Sequence, residues 1–156
     1  MTAENVLEKF IAHVLQHPKV VQSNPKLQSC LIYELKTFLL SHITQIEDCA
    51  NLSRESNHRA NTTYYHWARN TGANHTSCPY SFLFYLCLVS KPQQDFANAR
   101  QCYFLKDACR HLATMCRQYN DLGSVSRDQQ ERNLNSIDFP EFENCTRERG
   151  TYIGKL

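Results

Sequence analysis

The chain carries no surplus of charge of either sign: 17 lysines and arginines stand against 15 aspartates and glutamates, a formal net charge of +2. Its basic residues are scattered rather than gathered into a patch, which excludes the electrostatic footprint of a nucleic-acid binder. The first 20 residues lack a basic start followed by an apolar run, so no secretory leader is expected. The apolar run at residues 82–89 is far shorter than the about 20 residues a bilayer span requires. A soluble, cytoplasmic protein without a membrane span is the expectation. None of the eight cysteines makes a CxxC pair, which leaves a zinc site without support. Without a leader, reduced thiols are favoured over disulfides, and the Asn-x-Ser/Thr matches at Asn51, Asn61, Asn74 and Asn144 lose their weight. No serine sits in a GxSxG elbow, so a Ser/His/Asp hydrolase is unsupported. His13 and His17 are four apart but have no third ligand, and read as surface residues; His75 and His111 read as structural. There is no repeat, low-complexity tract or second domain.

What is present reads as helix. With 156 residues, 42% of them apolar, the chain is one domain at most, large enough to bury a core. Val6, Phe10, Ile11, Val14 and Leu15 recur at helical spacing, and His17-Pro18 ends that helix. Pro25 opens a second helix, expected to run to Ala50 with Leu27, Leu31, Leu35, Phe38, Leu39, Ile43 and Ile46 on one face. Residues 51–61 read as a loop, and Thr63–Arg69 as a short helix stopped at Gly72. Residues 76–90, dense in Phe, Tyr, Leu and Cys, predict a buried helix with Pro79 near its start. Lys91-Pro92-Gln93-Gln94 reads as a turn, and Phe96–Arg132 as a long helix on which Cys102, Cys109 and Cys116 form a packing stripe. After Asn133 regular structure is expected to weaken.

The long helix carries the most informative run, Asn120-Asp121-Leu122-Gly123-Ser124-Val125-Ser126-Arg127-Asp128. A step of four residues turns only about 40° on an α-helix. Asn120, Ser124 and Asp128 therefore share a face and line up an amide, a hydroxyl and a carboxylate. Hard divalent cations such as Mg2+ take oxygen ligands of this kind. Arg117 and Arg127 flank the stripe and suit the anionic groups of a phosphorylated substrate. The plain alternative is a solvated helix face, on which Asn, Ser and Asp are common.

The run resembles the second metal motif of class I terpene synthases, (N/D)DxxSxxxE, with Asp128 in the place of the usual Glu. The likeness continues through Glu34–Leu40, His42–Asp48, Thr71–Ala73, His75–Phe82, Cys109–Arg117 and Asn133–Phe142, and covers most of residues 5–143. Together these stretches resemble the C-terminal class I domain of fungal bifunctional diterpene cyclases of the copalyl diphosphate/ent-kaurene synthase type.

The resemblance implies an all-α fold: a partial class I terpene synthase helical domain over residues 1–143, followed by a divergent, disordered tail at 144–156. It implies that Mg2+ is held by Asn120, Ser124 and Asp128, and that Arg117 and Arg127 grip a diterpenyl diphosphate such as copalyl diphosphate. Thr76, Ser77, Cys78, Tyr80 and Phe82, with Phe84 and Tyr85, would line the carbocation pocket, where ring faces favour cations; for any single one of the aromatics, plain helix core is the favoured alternative. Members of that family also carry an Asp-rich DDxxD motif on an earlier helix. No two aspartates here fall into a DDxxD or DxDD pattern, and Glu47-Asp48 reads as a solvated or helix-end feature. The expectation is a fragment, inactive alone and completed by a chain carrying the Asp-rich helix. A non-catalytic helical remnant or interaction protein is the alternative.

Overall fold

The computed structural model describes residues 3–54, 62–91 and 99–142. Within them the fold is all-α. Helices α1 (Ala3–Leu15), α2 (Pro18–Val21) and α3 (Pro25–Arg54) are followed by α4 (Tyr64–Trp67), which passes through a π turn (Ala68–Gly72) into α5 (Ala73–His75). Then come α6 (Cys78–Val89), α7 (Ala99–Glu131) and two 3-10 turns, Ser136–Asp138 and Pro140–Phe142.

Local chemistry sets most of the boundaries. Pro18 and Pro25 open α2 and α3, where a missing N–H costs nothing. Asn24 caps α3 by accepting from Lys26 N at 2.9 Å. Thr63 caps α4 through His66 N, and Pro79 lies in the first turn of α6.

Two apolar clusters hold the elements together. In the first, Val14, Val20, Leu27, Leu31, Leu35, Leu83 and Cys87 are buried between α1, α2, α3 and α6. Leu31 is fully enclosed, and each such side chain contributes about 1.5–3 kcal/mol by leaving water. Tyr80 packs here, its ring 4.9 Å from Phe38 and 6.1 Å from Phe10. In the second cluster Trp67, Ala68, Leu134 and Phe139 are buried, with Cys49, Tyr64 and Phe142 against them. This cluster draws the segment after α7 back onto the π turn, with Trp67 and Phe139 ring centres 4.9 Å apart.

The structure corrects several readings of the pattern. Helix α3 continues through Arg54 rather than ending near Ala50; residues 55–61 lie outside the described residues. Ile43 and Ile46 are exposed, and the buried line of α3 continues instead through Ser41 and Gln45. Gly72 stops nothing, because the helical run continues into α5. A Cβ there would sit 3.2 Å from Arg117 Cγ and 3.3 Å from Trp67 O, a tight approach that favours glycine. On α7, Cys109 is buried, whereas Cys116 is exposed and Cys102 half-buried, so the stripe packs over part of its length. After Asn133 the described chain, to Phe142, holds only two 3-10 turns, the first closed by a reciprocal capping box of Asn135 and Asp138. The turn at residues 92–94 and the tail at 144–156 lie outside the described residues.

Candidate functional site

The α-helical run breaks at Thr76, whose backbone is extended (ψ 149°), before α6 begins at Cys78. Thr76 Oγ1 bonds back to Ala73 O at 2.8 Å and terminates α5. This break, the C-terminal half of α3 and the C-terminal half of α7 enclose a cleft of about 840 Å³. Helix α3 contributes His42, Gln45, Ile46 and Cys49; the break contributes His75, Thr76 and Ser77; α7 contributes Arg117, Asn120, Arg127, Asp128 and Glu131. Arg132 and Asn133 complete the wall beyond α7.

Six of the residues singled out from sequence therefore meet at one cleft: Arg117, Asn120, Arg127, Asp128, Thr76 and Ser77. Ser124 is buried behind the wall, and its hydroxyl donates to Asp128 Oδ2 at 2.5 Å. Cys78, Tyr80 and Phe82 are not in the wall. Tyr80 is spent on the core between α1 and α3; Phe84 packs edge-on to His17, and Tyr85 is exposed.

Beneath the cleft lies a buried polar network. At the end of α7, Arg132 takes a left-handed conformation (φ 58°), and Asn133 N bonds to Asp128 O at 2.8 Å. This is the Schellman geometry that reverses a chain at a helix C-terminus. The reversal lays Leu134, Asn135 and Ser136 back along α7. Asn135 Nδ2 donates to Asp128 Oδ2 at 2.7 Å and to Asp121 O at 2.9 Å. Ser136 donates to Asp121 Oδ2 through its backbone N–H at 3.0 Å and its hydroxyl at 2.5 Å.

Arg117 closes the network from the other side. Its Nε lies 2.8 Å from Asp121 Oδ1, with both side chains almost wholly buried. The N–H of this pair does not point along the contact, so it is an ion pair more than an aligned hydrogen bond. Arg117 Nη2 donates to Leu134 O at 2.8 Å, and the guanidinium carbon lies 4.6 Å from the Trp67 ring centre.

The electrostatics follow from burial. Asp138 is raised above the ordinary carboxylate range by desolvation, and further by nearby Asp121 and Asp128, against the bond from Asn135 N. His75 is lowered to about 4 by desolvation, by His42 beside it and by Arg117, so its imidazole is neutral at pH 7. The His42 and His75 rings lie 4.5 Å apart, and His42 Nδ1 is 2.9 Å from Phe38 O. Asp48 is not a helix-end residue: it lies within α3, half-buried beside the Trp67 indole, and desolvation raises its carboxyl.

Among the described residues there is no cluster of three or more His, Cys, Asp or Glu side chains arranged to hold a metal. The stripe instead offers one carboxylate, one amide and one hydroxyl. Asp128 Oδ2 is taken by Ser124 and Asn135, while Oδ1 has the exposed Arg127 Nε at 3.8 Å. Mg2+ is commonly bound by one or two carboxylates together with substrate phosphates and water. The donor set fits that mode and not a self-sufficient protein cage.

The chain is 42% identical over 148 residues to a pimaradiene synthase of Emericella nidulans, a match covering 88% of this chain and 15% of that enzyme. It is 41% identical over 150 residues to an ent-kaur-16-ene synthase of Fusarium fujikuroi, covering 91% of this chain and 16% of the enzyme. The chain is homologous to one segment of the fungal diterpene synthases. A phyllocladan-16-alpha-ol synthase of Phomopsis amygdali matches at 30% identity over 87% of this chain and 16% of its own length. The chain thus spans about a sixth of the length of the relatives it matches. No family model matches it, and no solved structure does. None of its helices, among the described residues, is long and apolar enough to cross a membrane.

Sequence reasoning missed Asp121, Asn135, His42 and Arg132. The spacing of Arg117 and Asp121, i and i+4, is a helical ion-pair signal that could have found Asp121. Asn135 gave no such signal, because its contacts depend on the reversal at Arg132.

Proposed function

We propose that this diterpene synthase segment forms one wall of a class I site, in which Mg2+ and the diphosphate of a diterpenyl substrate are held against α7. One observation carries the reading: oxygen donors and guanidinium groups from a single helix face a cleft of about 840 Å³ together with the Thr76–Ser77 break. A cleft of this size suits a substrate-sized ligand. Homology to pimaradiene and ent-kaurene synthases supports the substrate class.

Asn120 and Asp128 Oδ1 would hold the ion at the cleft, with Ser124 between them fixing Asp128. Bound Mg2+ would supply Lewis acidity at the diphosphate oxygens. Arg127, which is exposed, would take an outer diphosphate oxygen as a charge-assisted donor. Arg117 has Nε against Asp121 and one Nη2 proton on Leu134 O, so only its remaining Nη protons are left for the ligand. Its role in the site is therefore anchoring as much as gripping. Neutral His75 lines the cleft without adding charge that would oppose a carbocation.

Among the described residues, the carboxylates lining the cleft are Asp128 and Glu131. A diphosphate bound with several metal ions needs more anionic ligands than these, so the proposal includes a second acidic face, of the DDxxD kind, from a complementing polypeptide. The test incubates copalyl diphosphate and Mg2+ with the chain alone and with a polypeptide supplying the rest of a class I domain. Hydrocarbon or alcohol product only from the mixture, lost with Asp128→Ala, is the expected result. Product independent of Asp128, or none from any mixture, would leave the chain a non-catalytic helical protein.

A further inference from the structure

We infer that Asn135 is a positioning residue that sets Asp128 for metal binding. The inference rests on the metal–diphosphate reading of the cleft and extends it to a residue outside the helix that carries the stripe.

The geometry is specific. Asn135 is 1% exposed, and both protons of its amide nitrogen are used, one on Asp128 Oδ2 at 2.7 Å and one on Asp121 O at 2.9 Å. Its Oδ1 accepts from Ile137 N at 3.3 Å. Turning the amide over would face its oxygen toward two acceptors, so the network admits one orientation. With Ser124 Oγ at 2.5 Å on the same oxygen, Asp128 Oδ2 has two donors. The carboxylate is thereby locked about its own axis, and Oδ1 is the oxygen left for a ligand in the cleft. A short Asp at this place needs such a lock, because a carboxylate that rotates loses the ion.

Anchoring the tail does not require this bond. Leu134 and Phe139 are buried, and Ser136 already ties the tail to Asp121. Those contacts hold the backbone, whereas the contact of Asn135 with Asp128 holds a side chain of the stripe.

Asn135→Ser tests the idea, because serine keeps an oxygen to cap Ile137 N but is too short to bridge Asp128 and Asp121. Ser136→Ala is the control: it removes a tail anchor on Asp121 and leaves Asp128 untouched. Inorganic pyrophosphate is titrated calorimetrically into the parent chain and each variant in the presence of Mg2+, and thermal unfolding is followed alongside. Asn135→Ser is expected to weaken pyrophosphate affinity about tenfold or more, in the range found for residues that orient metal ligands. Ser136→Ala is expected to lower the unfolding temperature and keep the parent affinity. Equal affinity of Asn135→Ser and parent, or equal losses in both variants, would overturn the inference while leaving the proposed function standing. A parent chain that takes up no pyrophosphate with Mg2+, either alone or mixed with the polypeptide supplying the rest of a class I domain, would overturn both. Should Asn135→Ser not fold, Asn135→Thr fills more of the space, keeps the cap and is read by the same two outcomes.

Discussion

Replacing Arg117 by methionine perturbs the network at its one fully buried cation. Arg117 and Asp121 lie 2.8 Å apart with side chains 6% and 2% exposed, so water screens neither partner. Removing one member of such a pair strands the other, at a cost of about 3–5 kcal/mol. The lost charge-assisted bond to Leu134 O, about 1.5–3 kcal/mol in isolation, and the stacking on Trp67 fall within the same network and do not add in full. The expected loss is therefore about 4 kcal/mol, a large share of the about 5–15 kcal/mol that holds a domain folded. In urea, with a slope of about 2 kcal/mol per molar, the midpoint falls by about 2 M at unchanged slope. Arg117→Met combined with Asp121→Leu removes both charges and should recover part of the loss. Recovery is incomplete because Ser136 then loses its acceptor. A single variant that costs less than about 1 kcal/mol, the size of an exposed pair, would refute the buried-pair reasoning. So would a double variant no more stable than the single one.

Further outcomes follow from the same geometry. Gly123→Ala meets nothing within 4 Å and should stabilise by about 1 kcal/mol through helix propensity. Gly72→Ala drives its Cβ to 3.2 Å from Arg117 Cγ and 3.3 Å from a backbone oxygen, and should destabilise by about 1–3 kcal/mol in the same urea assay. The His75 pKa is lowered to about 4 in the folded chain, so the unfolded chain binds its proton first as pH falls. Its contribution to stability is accordingly intact above about pH 6.5 and is lost as the pH drops toward 4, a slope that His75→Gln should remove. The raised carboxyls of Glu34, Asp48 and Asp138 act with the opposite sign in the acid range, which makes the comparison with His75→Gln the informative one.

The fold was legible wherever burial follows helical period. The long helix α7, the proline-opened starts of α2 and α3, and the buried turn of Pro79 in α6 follow from spacing and local backbone chemistry. The pattern misled where side-chain type and position disagree. Ile43 and Ile46 look like core but are exposed in this chain, while Ser41 and Gln45 are buried, because α3 turns a different face to the break and the cleft. Gly72 reads as a stop, yet it is small because Arg117 and Trp67 crowd it. The aromatics of α6 read as buried helix from their content and as pocket wall only from the resemblance, and for Tyr80 the first reading holds, its ring packed between α1 and α3. Asn120, Ser124 and Asp128 could be read together because four-residue steps stay on one face. Asn135 could not, because it reaches them only through a non-glycine residue in a left-handed turn.

The most direct measurement is calorimetric titration of inorganic pyrophosphate into the chain, with Mg2+ and then with the metal removed by chelation. The account predicts saturable binding only with Mg2+, abolished by Asp128→Ala and weakened by Arg127→Ala. Binding that survives chelation, or that is indifferent to Asp128, would contradict it.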